Sequence, residues 1–470
     1  MRKARRTKTG SRHAETEGSG FRSAEEAVAW ITGLMPVSGI RPGLERIRIM
    51  MDKLGDPHLR LRFIHVAGTN GKGSVCAYLD AVLRRCGYDV GLFTSPYLSS
   101  YNDRFRYNGQ NMPDESLVRL ANRLKPVADE LAQTEWGPPT MFEVTTALAL
   151  LYFATETYPD YVVWETGLGG RLDVTNIVFP VVSVITNVGH DHMDLLGPTL
   201  ADVAMEKAGI IKPGVPVVSA ARQPEAVEVL RRTAAERKAT LYLLGDQFDY
   251  DILALKPGET RFTFRGPYRT LEDLRIPLSG AHQAENAAVA VMTLELLRQF
   301  NAFVVEDEDL RAGLEETSWP GRLEMVSENP PILLDGAHNP EGMEALAAAL
   351  RDLYRYERIN VLLGMMPNKN HGDSLRHILP IVDTLVITEP FFFKKMSAHA
   401  LADLAGGLRE RIGSPRQIVT EPDWRRALET AIRLAGDAPG RTLTVVTGSL
   451  YLVADVRSWL LHRKTSDKGW

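Results

Sequence analysis

Apolar and polar positions along the chain follow two periods, and the switches between them mark its elements. Behind Ser23, a residue suited to cap a helix start, Ala24 to Leu34 carry an amphipathic helical pattern. Arg41-Pro42-Gly43-Leu44-Glu45-Arg46 opens a second helix that runs to Leu54. Ile64 and Val66 belong to a short buried strand, Val75 to Arg85 to the helix after it, and Asp89 to Thr94 to another strand. That unit reads β-α-β, which predicts a parallel sheet. Val144 to Thr155 is a long apolar helix, and Tyr161–Glu165, Val181–Thr186 and Val215–Ser219 are strands. Leu241 to Gly280 is β-rich with turns, and an Ala-rich helix starts at Gly280. Trp319-Pro320-Gly321-Arg322 breaks the pattern. Beyond it come strand Ile332–Leu334, helix Asn339–Tyr354 and strands Val361–Leu363, Leu385–Thr388 and Leu443–Thr447. The expected class is α/β: an N-terminal domain with a mostly parallel sheet over residues 21–318, and a smaller C-terminal α/β domain over residues 319–470.

Length supports two domains, because 470 residues exceed what one ordinary core holds. Hydrophobic residues at 44% and charged residues at 24% are globular values. Lys plus Arg number 55 against 59 Asp plus Glu, which argues against a nucleic-acid or membrane partner. Residues 1–20 are basic and polar with almost no large apolar group, so a disordered tail is expected there. An Arg-rich presequence is the alternative, and Glu15 and Glu17 count against it. Cys76 and Cys86 lie too far apart along one helix to join in a disulfide, which suits a reducing compartment. No apolar run reaches membrane-span length, so a cytoplasmic protein is the expectation; a monomer is expected too, on no feature of the sequence.

The chemistry gathers at strand ends. Gly68-Thr69-Asn70-Gly71-Lys72-Gly73-Ser74 joins strand to helix, where backbone N–H groups, a helix dipole and one lysine converge as a polyphosphate requires. The spacing departs from G-x-x-x-x-G-K-[ST], since Ser74 stands one residue further on. Glu165 leaves a hydrophobic strand beside this turn, where a magnesium-nucleotide site needs a carboxylate. His190-Asp191-His192 has zinc-like spacing, but no cysteine or third histidine is near. Lys207, at a helix end, reads from sequence alone as an exposed lysine, and Arg322 as a surface charge. Ser95-Pro96 is an ordinary turn signal, Glu143 a first-turn glutamate and Asn286 part of a helix cap.

The Gly68–Ser74 turn resembles the glycine-rich loop of the Mur-ligase superfamily. Together with Thr94-Ser95-Pro96, the string Gly167-Leu168-Gly169-Gly170-Arg171-Leu172-Asp173-Val174-Thr175-Asn176 and Asp335-Gly336-Ala337-His338-Asn339-Pro340, it resembles folylpolyglutamate and dihydrofolate synthases from Ala24 to Leu461. The resemblance implies a P-loop Mur-ligase fold that uses ATP and two magnesium ions. Gly71, Lys72, Gly73, Ser74, Asn286, Arg322, Asp335 and His338 would then contact ATP, while Ser95, Glu165 and His192 would bind magnesium. It also implies N6-carboxylysine at Lys207, with Lys72, Lys207 and His192 as the catalytic set. Thr140, Met141, Phe142, Glu143, Leu172, Asp173 and Val174 would line the pterin side. Tyr97, where histidine is common, and Asp103-Arg104-Phe105 depart from the usual pattern.

The implied reaction is ATP-dependent addition of L-glutamate to the γ-carboxyl of a reduced folate through an acyl phosphate, with dihydropteroate as a second acceptor of glutamate. Another amino-acid ligase of the superfamily is the alternative, and a nucleotide-driven switch is a reading from a different class.

Overall fold

The computed structural model describes residues 20–35, 41–392, 394–438 and 440–464, so the expected tail lies, except for Gly20, outside the described residues. Helices α1 (Ala24–Gly33) and α2 (Glu45–Lys53) lead in, and the Ser23 hydroxyl caps the first by accepting from Glu26 N–H. Then come β1 (Phe63–Ala67), α3 (Lys72–Arg85), β2 (Val90–Phe93), β3 (Phe105–Tyr107), β4 (Gln110–Asn111), α4 (Asp114–Ala132) and α5 (Met141–Tyr152). Strands β5 (Tyr161–Glu165) and β6 (Pro180–Ile185), the single turn α6 (Met193–Leu196), α7 (Leu200–Ala208), β7 (Val217–Ser219), α8 (Pro224–Glu236) and β8 (Leu241–Leu243) complete this part.

The eight strands form one sheet in the order β4-β3-β2-β5-β1-β6-β7-β8, parallel except where β3 and β4 join. Although β1 and β2 follow each other through α3, they do not pair, because β5 lies between them. Parallel neighbours end on the same edge of a sheet, so β1, β5 and β6 release their loops together: Val66 stands beside Glu165 and Ala67 beside Ile185. That edge is where open α/β sheets hold ligands. Helices α1, α2, α4 and α5 cover one face.

The β-rich excursion is a three-stranded antiparallel sheet of β9 (Asp249–Lys256), β10 (Glu259–Arg265) and β11 (Thr270–Ile276). Next come α9 (Ala281–Phe300) and α10 (Asp307–Glu315), which pack against α3. The Ala-rich composition of α9 serves this contact, because small side chains let it lie close between sheet and helix, and Ala287 through Leu297 are almost wholly buried.

The last part holds β12 (Glu324–Glu328), β13 (Pro331–Leu334), α11 (Pro340–Leu353), β14 (Arg358–Leu363), α12 (His371–Ile378), β15 (Thr384–Ile387), α13 (Ala398–Ile412), β16 (Gln417–Thr420), α14 (Trp424–Asp437), β17 (Thr442–Thr447) and α15 (Leu450–His462). Its sheet runs β12-β13-β17-β14-β15-β16, and only β12 is antiparallel. The two strands absent from the sequence pattern, β12 and β16, are its edges, where half-exposed polar residues blur the apolar alternation. Cys76 and Cys86 are both free.

One buried ion pair fastens the lead-in helices to the sheet layer. Arg46 Nε on α2 donates to both oxygens of Glu143, at 2.9 and 3.0 Å, and Glu143 is fully buried. Thr140 N–H donates to the same carboxylate, closing a capping box at the start of α5. Arg46→Met leaves this carboxylate buried without its cation, so stability should fall by about 3–5 kcal/mol. Urea midpoints check this. The double variant Arg46→Met/Glu143→Leu should recover most of the loss, and a single variant as stable as the parent would show that the pair fastens nothing.

Candidate active site

Loop 68–71 turns sharply between β1 and α3, and its glycines are required by what approaches them. Gly71 has φ 83°, and a Cβ on it would lie 2.2 Å from Asn286 Oδ1; one on Gly73 would lie 2.7 Å from the indole nitrogen of Trp319. Helix α3 starts at Lys72, three residues before the apolar pattern shows it, because Lys72, Gly73 and Ser74 carry no large apolar side chain. Lys72 Nζ donates to Gly68 O at 3.1 Å and Thr69 O at 3.4 Å. The Ser74 hydroxyl accepts from Gln283 Nε2 at 3.3 Å, and Asn286 Nδ2 donates to Gln283 Oε1 at 3.2 Å. Gln283 is thus a residue of the site that sequence reasoning missed, although it stands one turn before Asn286 at the start of α9.

On the other side of the loop, Glu165 ends β5 and is 4% exposed, and its Oε2 accepts Ser95 N–H at 2.8 Å. Burial raises the Glu165 carboxyl, and the Lys72 charge and that N–H pull it back. Lys207 is not an exposed helix lysine. It is 2% exposed, and burial, followed by the nearby Lys72 charge, pushes its ammonium down to about 7. Among the described residues no hydrogen bond or ion pair holds it. The backbone of α7 that carries it lies against the glycine string: a Cβ on Gly170 would come 2.8 Å from Glu206 O and 3.0 Å from Lys207 O. Long side chains are therefore kept off the helix that delivers the lysine.

The C-terminal part supplies the facing wall. Arg322 is not a free surface charge; it lies in the cleft facing Asp335 and Glu165. Asp335 accepts Leu323 N–H at 3.1 Å and Ala337 N–H at 2.9 Å, tying the linker to the end of β13. Several contacts bridge the two parts. Asn70 Nδ2 donates to Asn339 Oδ1 at 3.1 Å, and His190 Nδ1 lies 2.7 Å from Glu341 Oε1, so His190 is a satisfied loop histidine. Asp191 is the hub that sequence reasoning left out. Its carboxylate accepts from Lys369 Nζ at 2.7 Å and Asn339 Nδ2 at 3.2 Å, with His338 Nε2 at 3.4 Å. Burial raises the Asp191 carboxyl, but His338, Lys369 and His192 together more than reverse it. Lys369 also reaches His192 Nε2 at 3.1 Å, and burial and the Lys369 charge push His192 down to about 4. The signal for this cluster was the aspartate inside the H-D-H string, but its partner lies almost two hundred positions away.

A cavity of about 300 Å³ joins these walls. Gly71, Lys72, Gly73, Ser74, Asn286, Arg322, Asp335 and His338, expected on ATP, all line it. So do Ser95, Glu165, His192 and Lys207. None of the residues expected on the pterin side lines this cavity, and two of them are held by protein partners. Glu143 faces the core, held by Arg46. Asp173 is 8% exposed and accepts Leu168 N–H at 2.7 Å, Thr175 N–H at 3.0 Å and the Thr175 hydroxyl at 2.5 Å. A carboxylate with three donors braces its own loop. Phe142 and Asp173 do meet, since both crowd Gly167, where a Cβ would lie 2.5 Å from the Phe142 ring and 3.2 Å from Asp173 Oδ2. Thr140 caps α5, Met141 begins it, Leu172 is 38% exposed and Val174 is buried.

Magnesium suits the donors present. Among the described residues no group of three His, Cys, Asp or Glu side chains gathers as a closed metal site. The Ser95 hydroxyl and Glu165 carboxylate are hard oxygens, and magnesium bound beside nucleotide takes one or two such ligands and completes its shell with phosphate oxygens and water.

Comparison with known proteins agrees with this geometry. Residues 66–294 match the Mur ligase middle domain, and residues 321–450 match the Mur ligase glutamate ligase domain. The chain is 40% identical over 442 residues to the dihydrofolate synthase/folylpolyglutamate synthase of Bacillus subtilis, covering 94% of this chain and 100% of that protein. Folylpolyglutamate synthase of Mycobacterium tuberculosis, solved with ADP and AMPPCP, superposes with a TM-score of 0.86 at 31% identity, covering 94% and 100% of the two chains. FolC of Escherichia coli, solved with DHPP and ADP, superposes at 0.81 and 29% identity, covering 93% and 98%. The chain belongs to the folylpolyglutamate synthase/dihydrofolate synthase family, ATP-dependent ligases of the Mur ligase superfamily.

Proposed function

We propose that this protein joins L-glutamate to the γ-carboxyl of tetrahydrofolate at the expense of ATP, with residues 21–318 binding nucleotide and folate and residues 319–470 closing over them. The observation that carries this reading is the single cavity in which the glycine-rich loop, Lys72, Glu165, Lys207, Arg322 and Asp335 meet. A carboxylate oxygen of the folate forms a bond to the γ-phosphorus of ATP as the bond to the β-phosphate oxygen breaks, giving an acyl phosphate and ADP. The glutamate amine then attacks the acyl carbon, phosphate leaves, and the amine loses a proton as the amide forms. Phosphoryl transfer rests on positioning and on neutralising oxygen charge, so no protein nucleophile is needed.

Lys72 and Arg322 supply fixed positive charge from opposite walls. Ser95 and Glu165 would hold one magnesium ion, and His192 with a carbamate on Lys207 a second; such ions supply further charge neutralisation on the phosphate oxygens. A neutral His192 suits a ligand role, and its lowered proton affinity keeps the ring uncharged.

The test is ADP release with tetrahydrofolate, which should need L-glutamate and match amide formation one for one; release without either substrate would favour a nucleotide switch. A second prediction concerns scope. Both acids carry a reduced pterin on an aminobenzoyl unit and react through a carboxylate at its far end, and the DHPP-bound relative is similar over 93% of this chain. Dihydropteroate as sole acyl donor should therefore also drive glutamate-dependent ADP release. No release at saturating dihydropteroate, from protein active on tetrahydrofolate, would leave polyglutamylation as the sole activity.

A further inference from the structure

The linker between the two parts, Trp319-Pro320-Gly321-Arg322, is anchored at both ends. On the N-terminal side the Trp319 indole lies against the first turn of α3, where a Cβ on Gly73 would come 2.7 Å from its Nε1 and 3.0 Å from two of its ring carbons. The indole also packs on the core that α3 shares with the sheet, and the Arg106 Cζ stands 5.6 Å from its ring. Its seat is thus built from the phosphate helix and from β3.

Arg106 is placed by the same helix. On β3 it pairs with Leu92, which belongs to the core under α3, and residues paired across two strands share a face. Gly73, Ala77, Asp80 and Arg84 follow one another along one stripe of α3. Asp80 is 6% exposed; its Oδ2 accepts from Arg84 Nε at 2.9 Å, and its Oδ1 is buried with no hydrogen bond among the described residues. Burial raises the Asp80 carboxyl, and the charges of Arg84 and Arg106 pull it back. Asp80 is therefore counter-charge for both guanidiniums, and it keeps that of Arg106 beside the indole.

On the C-terminal side Gly321 O accepts Gly336 N–H at 2.9 Å, and Gly321 N–H donates to Glu324 Oε2 at 2.8 Å. Glu324 is held in turn by Arg457 Nε of α15 at 3.0 Å. A Cβ on Gly336 would collide with Arg322 Nη1, so that glycine makes room for the arginine on its way into the cavity. Only Pro320, whose ring fixes its own φ, separates the two anchorages. A span so short and stiff carries the position of the indole on to Arg322.

We propose that Trp319 is a positioning residue: seated between Gly73 and Arg106, it sets how far Arg322 reaches toward the phosphate loop. The inference rests on the reading of the main cavity as the ATP site. Neither Trp319 nor Arg106 lines that cavity, so an effect of either on nucleotide passes through a residue that does, and Gly73 and Arg322 are the two at hand.

The experiment is a double-mutant cycle on the full chain, with Trp319→Phe, Arg322→Met and the double variant. Affinity for magnesium-AMPPCP is read by titration calorimetry, kcat by glutamate-dependent ADP release, and folding by urea midpoints. Trp319→Phe keeps an aromatic ring but loses Nε1, and it should weaken AMPPCP about tenfold, as expected when a charge-assisted contact is misplaced. In the Arg322→Met background the same change should cost less than about twofold, because the group it positions is already gone. Arg106→Met should weaken AMPPCP in the same direction, and Arg106→Lys should recover part of the loss. A folded Trp319→Phe with parental affinity and kcat overturns the proposal. So does an equal loss in both backgrounds, which would mean that the indole acts through Gly73 or through stability alone. Should Trp319→Phe fail to fold, Arg106→Met closes the same cycle with Arg322→Met. A parent protein that binds no AMPPCP defeats the reading of the cavity, whereas additive losses in one that binds it defeat only the role of Trp319.

Discussion

Lys72→Ala lowers turnover by about 10² or more while leaving the protein folded, as expected when a positive charge is removed from a transferring phosphoryl group. The structure separates the two effects. Lys72 Nζ touches only the carbonyls of Gly68 and Thr69, and it makes no ion pair among the described residues, so truncation breaks no packed contact. The helix that starts at Lys72 is held from elsewhere, with Ser74 through Leu83 buried. ADP release measures the first effect, and the urea midpoint, unchanged from the parent, the second. A folded variant with near-parental turnover would remove the glycine-rich loop from the phosphate site.

The loop was legible because everything it needs is local: an apolar strand, glycines at the close approaches of Asn286 and Trp319, and a lysine at the helix start. Glu165 was legible for the same reason, as a carboxylate at the end of a strand with no polar residue before it. Tertiary facts were not. Nothing local says that β5 separates β1 from β2, or that Asp191 meets Lys369 across the cleft. Lys207 and Arg322 look like surface charges in any short window, and only packing shows Lys207 buried and both lining the cleft. Nor does a short window show that Glu143 is held by Arg46 of α2, or that Asp173 takes the donors of its own loop.

Lys207→Ala should be nearly inactive, and small carboxylates such as acetate should restore part of the rate. A buried ammonium without a counter-ion is costly, and its proton affinity falls to about 7 as a result. At neutral pH much of the amine is then free, and addition of CO₂ to it would form an N–C bond and release one proton, replacing the cation with a carbamate. The sign follows: the carbamate builds up as pH rises through about 7 and is lost below it, where the amine is protonated. Carbamate oxygens are metal ligands of the class that acetate can replace. Two readouts bear on this. A ¹³CO₂-derived carbamate resonance should be present in the parent and absent from Lys207→Ala, and activity of the variant should climb with acetate concentration. A parent showing no such resonance at pH 8 would rule out the modification.

The strand order also sets how the molecule comes off the ribosome. Strand β1, which delivers the phosphate loop, pairs with β5 and β6, whose residues lie about a hundred positions later, and β2 pairs with β5 in turn. Until Tyr161–Glu165 has emerged, both early strands have an open apolar edge with nothing to receive it. Such non-local pairing closes slowly and leaves nascent sheet edges exposed to other chains. A chain halted before residue 161 should be a substrate for chaperones, and one halted after residue 185 should already hold its central four strands in register.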